Sequence, residues 1–546
     1  MTALDDALHR VRAHDLPSAL RAGPLREGLV AGGVAFAALG GPLEARWREA
    51  LAELDSCVRA LGDGTGPAVL TEGPAYPGTW IESTGSISAE VLTRFAPEVA
   101  RATSEQFAAL RRDDGLLPYK VVDGGPGFTQ IQIVTPFART VWNHYLLTGH
   151  GDGGRDREYL RTMFSAMTGM DAWLVQFRDT RGTGGVEAFG TFDTGHDMSP
   201  RFWFAPDRPL GDARFVDPAN AILPFVAPDL TANVAAQRSY LALIAAELGL
   251  DPEPWRAGAA ASTAALFAQC FDDGDGIFYD RDATGELRRV QSDVLLRVLE
   301  CEIGDDSFFA AALERYLMNT SKFLAHYGFT SLALDDPRFD ANAGRNSWGG
   351  PVNFLSLLRS PHPFEHHGRV AELALTAGPV LAAVARADRF PQCLDPWSGE
   401  AGFTSQYSPA ILWFLDAIER HTGILERPDG ELWFSGMAPT RLDHGASASA
   451  VGYARTVGAV RFELVADDAS VVVFRDGVEF ASFPRGWRLV TDRSGTLSAV
   501  VGLAARPVAG TLTLADGSLE LELAPNDVLE LATGIRRSPG FTPPRA

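Results

Sequence analysis

Apolar positions recur at three- and four-residue steps through most of the first 430 residues and then give way to alternation. Ile87, Val91, Phe95 and Val99 lie four apart, which lays one apolar stripe along a helix. Tyr159, Met163, Met167, Met170, Trp173, Leu174 and Phe177 follow the same rule. Asp229 reads as the N-cap of a helix carrying Leu230, Val234, Leu241, Ile244 and Leu248, and Gly249 as its stop. Further helical stretches are expected over 253–271, 290–302, 307–327, 367–387 and 408–422. Helices of roughly 15–20 residues between long loops rich in glycine and aspartate suit a ring of helical hairpins better than a parallel sheet. Beyond Asp429-Gly430, runs such as S-V-V-V-F, T-L-T-L and L-E-L-E-L are short, alternating or β-branched, and Asp476-Gly477 and Asp516-Gly517 mark hairpins. The expected plan is therefore mainly α. An N-terminal segment (1–70) packs on a helical barrel (71–430), followed by a small β-sandwich (431–535) and an extended or disordered tail (536–546).

Composition narrows the partners. A net charge of −21 argues against nucleic acid and against anionic membrane surfaces. Lysine occurs only at Lys120 and Lys322, so positive sites must be built from arginine forks, which suit carboxylates, phosphates and polyols. Cys57, Cys270, Cys301 and Cys393 are widely spaced, which gives neither a disulfide framework nor a zinc signature. The glycine-rich run Gly28–Gly41 lacks the spacing of a nucleotide loop and reads as small-residue packing. No cofactor or metal is expected. The histidines of Pro361–His367 lack a third ligand element, and Phe271–Asp280 lacks calcium-loop spacing. The start M-T-A-L-D-D-A-L-H-R has no basic-then-apolar pattern, and no apolar run approaches the ~20 residues of a membrane helix, so a cytoplasmic protein is expected. The sequence leaves the oligomeric state open.

The chemically densest stretch is R-D-T-R-G-T-G-G-V-E-A-F-G-T-F-D-T-G-H-D-M-S-P-R-F-W, Arg178–Trp203. It sets Asp179, Glu187, Asp193 and Asp197 among glycines, with Arg178, Arg181 and Arg201 beside them and aromatics throughout. Aromatics imply burial, and buried carboxylates are costly unless paired. Carboxylates, arginines and aromatic faces together suit a sugar site. A structural ion-pair cluster between helices would use the same residues.

Several segments resemble the trehalase-like (α/α)6-barrel glycoside hydrolases, the group of the trehalases, processing α-glucosidases and mannosylglycerate hydrolases. D-T-G-H-D-M-S-P-R-F is similar to that family's E-S-G-x-D-x-S-P-R segment. W-I-E-S (Trp80–Ser83) and G-L-L-P-Y-K-V (Gly115–Val121) resemble its W-x-D-S and G-x-L-P elements, with Glu82 in place of aspartate. N-S-W-G-G-P-V-N (Asn346–Asn353) and F-P-Q-C-L-D-P-W-S-G-E (Phe390–Glu400) follow in the family's order. The resemblance implies an (α/α)6 toroid and an inverting glycosidase acting on a small glycoside or oligosaccharide. It implies that Asp197 is the general acid. Asp193 and His196 stand close enough in sequence to tune it. Asp197 before Ser199-Pro200 also reads as a helix N-cap.

The second carboxylate is where the chain departs from the pattern. Counting back from Asp395-Pro396, the family's base glutamate corresponds to Gln392, and an amide cannot take a proton from water at neutral pH. Four readings follow. Glu400 takes the task and is the favoured candidate; Glu187 or Glu82 takes it from another wall; the nucleophile is an anion, as in a phosphorylase; or the protein is a catalytically silent carbohydrate binder. For substrate contact the candidates are Trp80, Trp142, Trp348 and Tyr407 as platforms, with Trp203 beside them. Glu82, Arg178, Arg181, Glu187, Asp193, His196, Arg201 and Gln392 supply polar groups. Gly349 stands where the family commonly has arginine, which implies a wider or less polar subsite.

Overall fold

The computed structural model describes residues 2–14, 20–149, 154–208, 210–440 and 445–546. Six helices, Ser88–Leu92, Phe137–Thr148, Pro228–Leu248, Val294–Leu299, Phe354–Arg359 and Ser408–Thr422, each pack on the next. The last of them packs on the first. Outside them lie Leu43–Cys57, Pro97–Ala109, Arg157–Phe177, Glu253–Cys270 and Val370–Arg386, each against one or two of the six. The periodicity explains who faces whom. Tyr159, Met163, Met167, Met170 and Trp173 are all buried, whereas Ser408–Thr422 is buried along its whole length, as a helix enclosed on every side must be.

Several elements depart from the sequence reading. The stripe from Ile87 to Val99 is broken at 93–96, because Pro97 begins a new helix and disfavours helical geometry just before it. Asp229 does not cap its helix, whose N-cap is Ala227. Its carboxylate faces Arg201 instead. The N-terminal segment is shared between two parts of the molecule. Leu43–Cys57 packs on Ser408–Thr422, but Ala35–Leu39 pairs antiparallel with Ala450–Val457 and becomes an edge strand of the C-terminal β region. That strand is hidden in sequence by its small residues.

The C-terminal region comprises two antiparallel sheets, one of seven strands and one of six. Their inward residues, among them Phe434, Tyr453, Phe462, Leu464, Val473, Trp487, Leu489 and Leu512, share one apolar cluster that continues into the helical part. Asp476-Gly477 makes the turn between paired Arg475 and Val478, as alternation and turn chemistry predict. The tail is held, not disordered. Arg536–Arg537 pairs with the strand before it, and the Arg545 amide donates to the Met318 carbonyl. No helix among the described residues is long and apolar enough to cross a membrane.

Candidate active site

A cavity of about 180 Å³ is lined mostly by residues of the loops and short elements between the helices. Trp80 reaches it from Thr79–Trp80, which pairs with Lys120–Val122 and sets Trp80 opposite Lys120, whose ammonium lies 4.8 Å from the Trp80 ring centre. Glu82 follows at the head of a π-helical turn, Ser83–Ile87, a distortion often found at functional sites. Tyr119, Gln130 and Gln132 line the same wall. Asp197 and Phe192 come from the densest stretch, Asn346 and Trp348 from the loop before Val352–Asn353, and Gln392 from the strand end that pairs with it. Chain closure thus gathers four distant motifs of the sequence reading: Trp80-Glu82, Asp197, Trp348 and Gln392.

Asp197 reaches the cavity from the densest stretch. One carboxylate oxygen accepts from the Asn346 amide, and Oδ1 is buried with no hydrogen-bond partner among the described residues. Burial, then the nearby charge of Glu82, pushes its pKa up to about 7, against the pull of Asn346. The Trp348 backbone amide donates to the Asp197 carbonyl at 3.1 Å, tying the two residues together. Glu82 is held differently: Arg359 donates to its Oε1 at 2.9 Å, and Arg297 stands 3.4 Å away.

A lattice of buried ion pairs lies under this floor. Arg201 forks Asp229 and Asp280 at 2.7–3.0 Å and donates to His196 Nδ1 at 2.7 Å. His196 Nε2 lies 3.0 Å from Asp293, and burial pushes its pKa down to about 3, so the ring is neutral. That neutral ring packs on Trp348 with centroids 4.7 Å apart, and Arg297 lies 4.8 Å from the Trp348 ring. His196 and Arg201 thus lie behind the cavity, His196 against Trp348 and Arg201 against His196, and neither is on its wall. Arg178 binds Asp193 at 2.6 Å, and Asp193 also accepts from the amides of Phe189 and Ile131, which fixes the loop entering the site. Arg181 binds Glu187 at 3.0 Å, and Thr180 donates to the same carboxylate. These four residues form the structural ion-pair cluster that the sequence also allowed. Trp142 is partly buried, stacks on Tyr145 and does not line the cavity.

Glu400 is not on the cavity wall. The turn Asp395–Gly399 reverses the chain, with Gly399 at φ +70°, so Glu400 is exposed and faces a separate cleft with Asp340, Arg389 and Asp395. Glu187 is buried with its partners outside the cavity. Of the three carboxylates proposed from sequence as base, only Glu82 reaches the site.

Sequence reasoning missed another carboxylate. Glu72 lines the cavity, accepts from the Tyr407 hydroxyl at 2.8 Å, and is only 6% exposed. Tyr407 thus stands behind Glu72 and is not a platform. Tyr76 donates to Gln392 at 2.9 Å. Nothing in L-T-E-G-P-A-Y marks Glu72. Arg297 and Arg359 did carry a signal, each being the one charge in an apolar run, V-L-L-R-V-L and F-L-S-L-L-R. A second, open cleft of about 330 Å³ adjoins the first. Asp197, Phe192 and Asn346 form walls of both, and Met198, Phe202 and Trp203 line the second.

Comparison with known proteins gives the family. The chain matches the model of the mannosylglycerate hydrolase MGH1-like glycoside hydrolase domain over residues 76–408. No curated protein matches. The GH63 mannosylglycerate hydrolase from Thermus thermophilus, in complex with Tris, superposes with a TM-score of 0.57 at 20% identity, covering 67% of this chain and 99% of that one. Neutral trehalase from Saccharomyces cerevisiae gives 0.50 at 12% identity over 66% of this chain and 76% of its own. The GH78 rhamnosidase of Bacillus sp. gives 0.52 at 12% identity over 79% and 40%. At these identities the likeness is one of fold. The family model spans more than half of the sequence and includes Trp80, Glu82, Asp197, Trp348 and Gln392, so the chain belongs to the MGH1-like glycoside hydrolases and is a glycosidase.

Proposed function

We propose that the protein hydrolyses a small glycoside with inversion, with Asp197 as the general acid, in the centre of an (α/α)6 toroid. The observation that carries this reading is the Asp197 carboxyl. The residue is half-buried, its Oδ1 is wholly buried with no partner among the described residues, and its pKa, pushed up to about 7, keeps a proton available at neutral pH. Around it, Trp80, Tyr119 and Trp348 offer ring faces, while Glu82, Gln130, Gln132 and Gln392 offer hydrogen bonds to hydroxyls.

The acid marks the side on which the leaving group departs, since it protonates the glycosidic oxygen. Asp197 is a wall of both cavities, so the sugar ring belongs in the 180 Å³ cavity and the aglycone toward the adjoining cleft. Lys120 and Arg208 also line the sugar cavity and favour an aglycone or sugar carrying a carboxylate. Mannosylglycerate, on which the Thermus relative acts, has that chemistry.

The test is a panel of aryl glycosides and natural glycosides, with the anomeric form of the product read by NMR. Asp197→Asn is expected to lower turnover of substrates with poor leaving groups by about 10²–10⁴-fold while leaving binding nearly unchanged. Hydrolysis by that variant close to the wild-type rate would remove Asp197 from this role. The phosphorylase reading rests on Gln392. Repeating the panel with and without phosphate decides it, because release of free sugar in the absence of phosphate excludes it.

A further inference from the structure

We propose that Glu72 is the general base, supplying from the 71–78 loop the carboxylate that Gln392 lacks. The inference rests on the hydrolytic reading and names the group that activates water in it.

Three carboxyls line the sugar cavity: Glu72, Glu82 and Asp197. Asp197 is the acid. Glu82 Oε1 is committed to Arg359 at 2.9 Å, with Arg297 at 3.4 Å. Two buried guanidiniums thus already occupy that carboxylate oxygen. Glu72 is held by hydroxyls instead of cations. Its carboxylate receives the Tyr407 hydroxyl at 2.8 Å, with Ser83 nearby. Its backbone is fixed at both ends: its amide donates to the Gly78 carbonyl and its own carbonyl accepts from the Ser408 amide, each at 2.9 Å.

Location completes the argument. Glu72 and Gln392 share one wall. Tyr76, four residues after Glu72, donates to Gln392, and the Tyr76 ring lies 6.2 Å from Tyr407, the partner of Glu72. Asp197 is held by a different set, Asn346 and the amide of Trp348. The amide at 392 is thereby tied down by Tyr76, and the neighbouring carboxyl from a separate loop takes over its wall.

The step balances without a further reactant. Water attacks the anomeric carbon and gives a proton to Glu72. The bond from that carbon to the glycosidic oxygen breaks, and the oxygen takes the proton of Asp197. The products are free sugar and alcohol, and proton exchange with solvent restores both carboxyls.

The electrostatics gives a pH signature. Burial raises the Glu72 pKa to about 8; Tyr407 and Ser83 lower it, while the charges of Glu82 and Asp197 raise it further. The neighbouring Tyr76 is itself pushed up by burial and stays neutral. Glu72 works only when ionised, so the rate rises with pH through its titration. Asp197 works only when protonated, so the rate falls through its own. The pair titrates as a unit, and because Glu72 is raised further than Asp197 the productive form, Glu72 ionised and Asp197 protonated, is the minor singly protonated form. The profile is a bell centred between about 7 and 8 with only a fraction of the protein active at its peak.

The decisive experiment compares Glu72→Gln and Asp197→Asn in the full-length protein, using an aryl glycoside that the wild type turns over, with and without sodium azide. Azide is an anionic nucleophile and needs no base. Glu72→Gln is expected to lose about 10²–10⁴-fold in kcat. Azide should restore turnover, yielding a glycosyl azide of inverted configuration, and the rescued reaction should keep only the falling limb of the pH profile. Asp197→Asn should instead recover with better leaving groups and not with azide. Glu72→Gln turnover within about threefold of wild type, or a loss that azide leaves untouched, overturns the assignment while hydrolysis stands. A wild type inactive on the whole panel overturns both.

Discussion

Gly195 stands two residues before the acid and tests how tightly the site floor is built. Its φ is +67°, and a Cβ placed on it would lie 2.0 Å from Glu82 Oε2 and 2.8 Å from Glu82 Cδ. Two costs follow for Gly195→Ala. The left-handed conformation costs about 1–2 kcal/mol for a residue with a Cβ. The contact adds to this, because Glu82 cannot retreat: Arg359 grips its other oxygen at 2.9 Å, and both are buried. Either Glu82 leaves Arg359, exposing part of a charge-assisted bond worth about 1.5–3 kcal/mol, or the 195–197 backbone moves. The total is about 2–4 kcal/mol of stability. Displacing Asp197 by even ~1 Å can cost about 10²-fold in kcat. Gly182 supplies the control. Its φ is +66°, and a Cβ there meets nothing within 4 Å, so Gly182→Ala carries the backbone strain without the collision. Thermal unfolding and kcat on the same glycoside are the measurements. The expectation is a mild stability loss with normal kcat for Gly182→Ala, and a larger loss with a collapse of kcat for Gly195→Ala. Two variants with equal stability and equal kcat would refute the wedge of Glu82 beneath Gly195.

The remaining expectations concern the same charges. Asn346→Ala removes the amide that favours ionised Asp197, so the falling limb of the pH–rate profile should move upward by about one unit, a hydrogen bond to a charge being worth about 1.5–3 kcal/mol. A limb that stays put, or moves down, would contradict the Asp197 assignment. Arg201→Met strands Asp229 and Asp280, both buried, and should cost about 3–5 kcal/mol by thermal unfolding at neutral pH. The sign with pH follows from Asp229, whose pKa in the fold is depressed by Arg201. The wild type keeps that contribution above the ordinary carboxylate range and loses it only well below. The variant's carboxylates protonate more readily, so its deficit should narrow as the pH falls toward about 4.

What the sequence disclosed and what it hid follow from the range of the interactions. Helical stripes such as Tyr159–Phe177 and alternating runs after residue 430 are local, and the structure shows both. The strand Ala35–Leu39 is hidden because its partner, Ala450–Val457, lies at the far end of the chain and its own residues are small. Trp80, Glu82, Asp197, Trp348 and Gln392 are legible because ordered motifs mark them, and all five line one cavity. The preference for Glu400 fails on a single turn. Closeness in sequence to Gln392 suggests closeness in space, but the amide of Asp395 bonds the Glu400 carbonyl, and the reversal carries the side chain outward.

Glu72 shows the opposite case. No spacing marks it, since its place at the site depends on the Ser408 amide, which lies far along the chain. The sequence counts acids and bases without saying which are paired. Folding sorts them: Asp193, Asp229, Asp293 and Glu82 each stand against arginine or histidine, whereas Glu72 and Asp197 are held by a tyrosine hydroxyl and an asparagine amide and have their pKa values raised by burial. A buried carboxyl without a cation costs stability, and two of them lining one cavity cost more. Glycosidic chemistry requires one carboxyl that holds a proton and another that takes one, and neither can do so while clamped by arginine. The pairing pattern, more than the identity of any residue, separates the carboxyls proposed for catalysis from the structural ones.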